Sequence, residues 1–323
     1  MKIGILGTSF GSYHAEIYKK IDGVDIVKSF GRNEEKLKYL GEKFKVSITQ
    51  NIFDIINDPD IDLIDICLPT QIHTQYILEA LRAGKNVFCE TPLCYNREEL
   101  TQIMRAEQEY GKQVFVDQFI KFDHEYQYLH KVIKDNDYGK LLSLTITRKT
   151  PPIWGSLGVD KIITNLMLHD LDCSSWLLGM PSNKSITAIS GNQDEAYVRA
   201  NLQYNNTIID VIASSMMPKS YPFSVGYEAI FEKGLLEFHG AFTPEGHIKS
   251  LIEYTSDEIK EIKLEDHNPY EYAIRHVIEC CKCKQESVLS ATAAANSLII
   301  AFDLNDMLPI KPHCTGTTSL LGG

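Results

Sequence analysis

The sequence predicts an α/β fold. A doubly wound parallel-sheet domain comes first, followed by an α+β domain on an open, mostly antiparallel sheet. Three observations carry this. Short apolar runs alternate with helical patterns through the first 118 residues. The strands of that stretch are apolar on both faces, as parallel strands covered by helices are. Beyond about residue 118, consecutive strands joined by polar turns take over, which fits a sheet with one solvated face.

Lys2–Leu6 reads as the first strand. His14, Ile17, Tyr18 and Ile21 then fall at i, i+3, i+4 and i+7, one face of a helix on which His14 reads as a structural histidine. Asp25–Phe30 is the second strand, and Asn33 is placed to cap a helix over Glu34–Phe44. Residues 62–68 form a nearly continuous apolar run, a strand covered on both sides. Thr70 is expected to cap a helix to Ala83, which Gly84 stops. Asn86–Cys89 as strand, Arg97–Tyr110 as helix and 113–117 as strand complete the alternation. Further on, 124–134 is helical, 140–148 alternates like a strand, and 165–178 is a helix closed by Gly179. Strands fill 184–263, and Pro269–Cys283 and 292–307 are closing helices. The expected division is 1–118, 119–310, and a Pro/Gly/Thr-rich frayed tail over 311–323.

The charge balance narrows the partners. The 323 residues carry 43 acidic against 32 basic side chains, a formal net charge of -11. Sequence-independent nucleic-acid binding needs the opposite sign, so no nucleic acid is expected. No apolar run approaches the roughly 18 residues that span a bilayer, and the N-terminus reads as a buried strand rather than a signal peptide. A cytoplasmic protein without a membrane partner is expected. Of eight cysteines, Cys67, Cys89, Cys94 and Cys173 sit singly in apolar or helical contexts and read as reduced core thiols. Cys280-Cys281-Lys282-Cys283 lacks a second ligand pair and reads as a helix end, so no metal is expected.

The first turn is where a dinucleotide pyrophosphate would sit. In Gly7-Thr8-Ser9-Phe10-Gly11, strand passes to helix, and backbone N–H groups at a helix start favour anionic oxygens. The full fingerprint has glycine where Ser9 stands, and Gly11 comes one place early. The bland alternative is a tight turn with no ligand. At the end of the second strand, where a carboxylate normally takes the NAD ribose, stand Ser29, Arg32 and Asn33. An arginine fork suits a 2′-phosphate, so NADP is expected over NAD. A solvated surface base is the plain alternative for Arg32. Leu68, Pro69 and Thr70 after the next long strand complete the expected cofactor cradle, with His73, Glu90 and Gln118.

Three further segments resemble the glucose–fructose oxidoreductase / inositol dehydrogenase family. They are Asp65-Ile66-Cys67-Leu68-Pro69-Thr70 with His73, then Ala83 to Leu93 with Glu90-Thr91-Pro92, then His169-Asp170-Leu171-Asp172 with Trp176-Leu177-Leu178-Gly179. The resemblance runs from residue 1 to about 310. It implies a Rossmann domain, a C-terminal α/β domain with an open sheet, NAD(P)-dependent oxidation or reduction of a sugar, polyol or related substrate, and dimers or tetramers packed through that sheet. Two departures stand out. The family's Glu-Lys-Pro is here Glu90-Thr91-Pro92, and its Asp four residues before the histidine is Asn165. His169 is kept and is the expected base, since imidazole titrates near working pH. Lys121 falls at a commonly basic family position and is the leading substitute for the missing lysine; Lys161 and Tyr95 are others. Tyr95, Trp154 and Asp170 are expected at the substrate; Trp154 would cover a sugar ring or, equally, anchor a hydrophobic lid.

Three functions stay open. The first is an NADP-linked oxidoreductase. The second is a dinucleotide-binding sensor or assembly protein that has lost turnover, prompted by Thr91 and Asn165. The third is a hydrolytic or lyase chemistry that uses bound NAD as an internal relay.

Overall fold

The computed structural model describes residues 1–308. The expected tail over 311–323 and Cys314 lie outside them. The first sheet contains β1 (Lys2–Leu6), β2 (Asp25–Phe30), β3 (Ser47–Thr49), β4 (Leu63–Ile66), β5 (Asn86–Cys89) and β6 (Val114–Val116). Their order is β3-β2-β1-β4-β5-β6, and every neighbouring pair is parallel. Helices α1 (Phe10–Tyr18), α2 (Glu34–Phe44), α3 (Phe53–Ile56), α4 (His73–Arg82) and α5 (Arg97–Tyr110) connect them. Strand order reverses between β1 and β4, and ligands of such sheets bind outside the strand carboxyl ends at that switch. Ile3, Ile5, Leu6, Leu63, Ile64 and Ile66 are all fully buried, as strands covered on both faces require.

The second sheet holds β7 (Leu141–Lys149), β8 (Asn183–Asn192), β9 (Glu195–Tyr204), β10 (Thr207–Ser214), β11 (Phe223–Phe231), β12 (Gly234–Thr243), β13 (Gly246–Thr255) and β14 (Ile259–Glu261). The order is β14-β13-β12-β11-β7-β10-β9-β8, and β7 against β10 is its one parallel pair. Period-two alternation sets which face is covered. On β9, Ala196, Val198, Ala200 and Leu202 are fully buried. Helices α6 (His124–Asp135), α7 (Leu168–Leu178), α8 (Pro269–Cys283) and α9 (Ala291–Met307) complete the fold.

Capping explains the sharpest boundaries. Asn33 accepts from the Lys36 N–H at 2.9 Å, which fixes the start of α2. Two helix starts differ from expectation. Thr70 makes no side-chain cap; a single 3₁₀ turn over Thr70–Ile72 leads into α4 instead. The helix expected from residue 165 begins earlier, in a π-helical turn over Ile163–Met167 that runs straight into α7. Sequence periodicity also did not anticipate where α8 goes. Its Ala273, Ile274, Val277 and Ile278 share one apolar cluster with Ile3, Ile5, Phe88 and Phe115, so α8 packs on the first sheet. The chain around Leu289 also covers the free edge of β6, accepting from the Val116 N–H at 2.8 Å.

Candidate active site

Glycine is dictated at the turn after β1. Gly7 has φ +123, and a Cβ there would lie 2.3 Å from the Cys67 carbonyl oxygen. A Cβ on Gly31, at the end of β2, would meet Thr8 Cγ2 at 2.4 Å. At Gly7 two backbones therefore approach more closely than any side chain allows, while Gly31 leaves room for the Thr8 side chain. Helix α1 follows with Ser9 at its N-cap, no side-chain cap and no acid in its first turn. Its first N–H groups stay open to an anion, and Ser9 and Phe10 are exposed beside them. The fit to a pyrophosphate is good.

The β2 end divides. Arg32 is exposed and has no ion pair among the described residues. Asn33 is exposed but spends its side-chain oxygen on the α2 cap. Ser29 is fully buried and faces the interior, which corrects its expected place at the cofactor. At the β4 end, Leu68 and Thr70 are partly accessible and Pro69 is exposed.

His73 is also withdrawn. It is fully buried, with Nδ1 3.1 Å from the Pro92 carbonyl and Nε2 2.7 Å from the Leu68 carbonyl. Burial lowers its pKa, the two carbonyls opposing. It clamps the β4 and β5 ends together rather than touching a ligand. Gln118 points at α9, donating to Ser297 Oγ at 2.9 Å, and is likewise corrected. The Thr91–Pro92 peptide bond is cis. The Thr91 hydroxyl is buried with no hydrogen-bond partner among the described residues.

On the other side of the site, the π-turn carries Asn165 and α7 carries His169, one helical turn apart. Such turns occur frequently at functional sites. The Asn165 side-chain oxygen accepts from Thr164 Oγ1 at 3.1 Å. His169 lies 5.6 Å from the Phe119 ring and keeps part of its surface accessible. Burial, then the Arg148 guanidinium, lowers its pKa to about 3. The imidazole is therefore neutral, not poised near working pH as the sequence suggested.

Two more expectations are corrected by ion pairing. Lys121 is buried and donates to Asp172 Oδ1 at 3.0 Å, the Val288 carbonyl at 2.9 Å and Gln118 Oε1 at 3.3 Å. With its donors committed, it is not free to stand in for the missing lysine. Asp170 is fully buried and takes a two-pronged contact from Arg148, Nε at 2.9 Å and Nη2 at 2.8 Å, so it is structural. Trp154 is 60% exposed with its ring 6.2 Å from Phe223, and Tyr95 is partly buried near the Glu99 carboxylate.

Sequence reading missed two features. Tyr270, at the start of α8, stacks on Phe119 at 4.0 Å and lies 5.4 Å from Tyr13 and 6.4 Å from Phe10. Aromatic rings thus run from the β1 turn to His169. Only the destination of α8 reveals this; no local signal marks Tyr270. The second feature is a buried polar cluster beneath the turn. His14 Nδ1 lies 2.9 Å from Asp65, and its Nε2 lies 3.2 Å from Glu90 and 3.5 Å from Asp117. His14, expected as a structural histidine on an apolar face, sits among acids instead, and its Nε2 has no hydrogen-bond partner among the described residues.

An open helix start after β1, at the switch point of a 3-2-1-4-5-6 parallel sheet, defines a Rossmann-type fold. Residues 1–118 match the model of an oxidoreductase family with an NAD-binding Rossmann fold, the GFO/IDH/MocA family. These residues are thus similar to the family that the motifs resemble. An inositol 2-dehydrogenase of Corynebacterium glutamicum is 30% identical over 194 residues, 57% of this chain and 56% of that protein. The chain spans about half the length of the curated relatives it matches. A UDP-N-acetylglucosamine 3-dehydrogenase from Acidithiobacillus ferrooxidans superposes with TM-score 0.80 at 18% identity, covering 95% of this chain and 97% of that one. An oxidoreductase from Agrobacterium radiobacter, solved with NAD+, L-tartaric acid and magnesium, superposes with TM-score 0.79 at 15% identity, covering 95% and 96%. These structures establish the two-sheet fold along nearly the whole chain.

Proposed function

We propose that the protein is an NAD(P)-linked oxidoreductase that moves a hydride between nicotinamide and a hydroxyl-bearing carbon of a sugar- or polyol-like substrate, with NADP preferred. The observation that carries this is the β1 turn: glycine imposed by backbone contact, followed by an uncapped helix start. Residues 1–118 would hold the dinucleotide, with Gly7, Thr8, Ser9, Phe10 and Gly11 around the pyrophosphate and Arg32 beside the 2′-phosphate. Leu68, Pro69 and Thr70 would line its path. When bound, the nicotinamide supplies the carbon that accepts or returns the hydride. Residues 119–310 would hold the substrate. Neutral His169 donates a ring N–H to the reacting oxygen, Asn165 and Thr91 orient it, and Trp154 and Tyr95 flank the ring.

The names of the relatives support a polyol-type substrate. Leu142, Ile208, Phe242 and Ile248 are exposed apolar residues on the second sheet, which supports a homodimer or homotetramer packed there. Buried free thiols at Cys89, Cys94 and Cys173 suit a reducing cytoplasm. Among the described residues, no helix is long and apolar enough to cross a membrane.

The test is paired. Fluorescence titration should show NADPH binding more tightly than NADH, and a panel of sugars and polyols should give a nicotinamide absorbance change with at least one member. Binding of neither dinucleotide defeats the proposal. The second reading, a sensor without turnover, is favoured by the commitment of Lys121 to Asp172. Binding without turnover, with activity gained only by Thr91→Lys plus Asn165→Asp, would select it.

A further inference from the structure

Alcohol oxidation releases a hydride and a proton, and the residues first expected to handle the proton do not. Thr91 carries no charge, Lys121 is committed to Asp172, and His169 is neutral and a weak base. We propose that Glu90 is the acid–base residue of this site, and that buried His14, Asp65 and Asp117 behind it serve as its proton store. The proposal rests on the oxidoreductase reading above and deepens it.

Position singles out Glu90. It ends β5 and directly precedes Thr91, and its side chain is 14% exposed, whereas those of His14, Asp65 and Asp117 are fully enclosed. Glu90 is therefore the one of these four side chains that reaches solvent. Its Oε1 lies 3.2 Å from His14 Nε2, and its Oε2 accepts from the Thr91 N–H at 3.3 Å. Behind His14, Asp65 Oδ2 lies 2.9 Å from Nδ1, and Asp117 Oδ2 lies 3.5 Å from Nε2.

The contacts are close but unlocked. His14 Nε2, Glu90 Oε1 and both Asp117 oxygens are buried without a well-formed hydrogen bond. The side chains packed on His14 bring no compensating positive charge. Tyr18 shares α1 with it, Cys67 comes from the end of β4, Phe88 from β5 stacks at 5.6 Å, and Tyr270 approaches from α8. None of these is a cation. Three carboxylates against one imidazolium, away from water, are best held with an extra proton among them.

The titration directions agree. Burial opposes charge on His14, but Cys67, Asp65 and Asp117 outweigh it and raise its pKa well above the ordinary value. Burial, with Glu90 and Asp65, raises Asp117 to about 7, His14 opposing. A group that exchanges its proton near neutral pH is suited to acid–base work.

In oxidation the substrate C–H bond would break and its hydride would pass to the oxidised dinucleotide that residues 1–118 would hold. The O–H bond also breaks, and its proton forms an O–H bond on the Glu90 carboxylate, leaving the carbonyl product. In reduction, protonated Glu90 gives the proton back as the hydride arrives. Glu90 is the catalytic residue here, and His14 and Asp117 are positioning residues behind it.

Three readouts test this on the full-length protein. A pH titration followed by the infrared band of protonated carboxyl groups should show one group titrating near pH 7, lost in Asp117→Asn. With any substrate that turns over, Glu90→Gln should lower kcat by about 10²–10⁴ while leaving dinucleotide affinity within a few-fold. Asp117→Asn should move the rising limb of the oxidation profile by about one pH unit to lower pH, because it removes a like charge. Absence of a carboxyl titrating near neutrality, or Glu90→Gln turning over like wild type, overturns this inference and leaves the oxidoreductase reading standing. Failure of wild type to bind either dinucleotide overturns both.

Discussion

The molecule holds two sets of buried charges, and they are built differently. On the second-sheet side, Arg148 meets Asp170 through two nitrogens at 2.9 and 2.8 Å, and Lys121 reaches Asp172 at 3.0 Å with further contacts to Val288 and Gln118. Each acid has a cation of its own. On the first-sheet side, His14 alone faces Asp65, Glu90 and Asp117, with several polar atoms unpartnered. Satisfied pairs hold a structure in one arrangement. A cluster short of positive charge responds to protons and to whatever approaches it. The segment His169-Asp170-Leu171-Asp172, though it carries the family resemblance, thus has two of its four residues tied to scaffolding.

Breaking a satisfied pair should give the largest effect. Arg148→Ala leaves the Asp170 carboxylate buried without its partner, which costs about 3–5 kcal/mol in comparable buried pairs. Urea unfolding should show a loss of that size. Replacing both members with apolar residues, Arg148→Met with Asp170→Leu, should recover much of it, because no lone charge remains. A loss below about 1 kcal/mol for Arg148→Ala would remove the contrast on which the comparison stands.

The responsive side predicts a pH effect rather than a simple loss. Asp117, raised to about 7 by burial, binds a proton in the folded state across a range where the unfolded chain has released it. Stability from this group is therefore present at low pH and falls as pH rises from about 4 to about 7. His14 acts with the same sign: its contribution is full below its unfolded pKa and fades only as pH climbs through its raised folded value. Asp117→Asn should flatten the curve in the lower window and make the variant relatively more stable at pH 8 than at pH 5. Denaturant melts at both values check this, and a slope unchanged from wild type would return Asp117 to the class of inert buried acids.

Much of the fold was legible because its cues are local. The strands Lys2–Leu6 and Asp25–Phe30, and the helices Glu34–Phe44 and Pro269–Cys283, fall where periodicity and caps put them. The three-residue β3 and the single turn of α3 were missed, since elements so short hold no period. The site was legible only where a motif is also local, as in the Gly7 turn. Lys121 with Asp172 and Arg148 with Asp170 pair across 51 and 22 residues, and a basic residue reads the same in sequence whether it faces a ligand or a buried acid. Tyr270 was hidden for a similar reason. Nothing in Asn268-Pro269-Tyr270 says that the helix it opens will cross back onto the first sheet.

The smallest effect is expected at a charge belonging to neither set. Arg32 is exposed at the end of β2 and pairs with nothing among the described residues, so its removal should leave stability within the noise of a surface change. Its consequence should show only in binding. A guanidinium fork on a 2′-phosphate contributes charge-assisted hydrogen bonds that NAD cannot make, and solvent screening at this open site keeps the gain modest. Arg32→Ala should weaken NADPH binding by about tenfold and leave NADH unchanged, and the ratio should shrink further as salt rises. Equal weakening of both dinucleotides would mean that Arg32 shapes the turn rather than reads the phosphate. No change in either would make it a plain surface base, and the preference for NADP would then have no residue behind it.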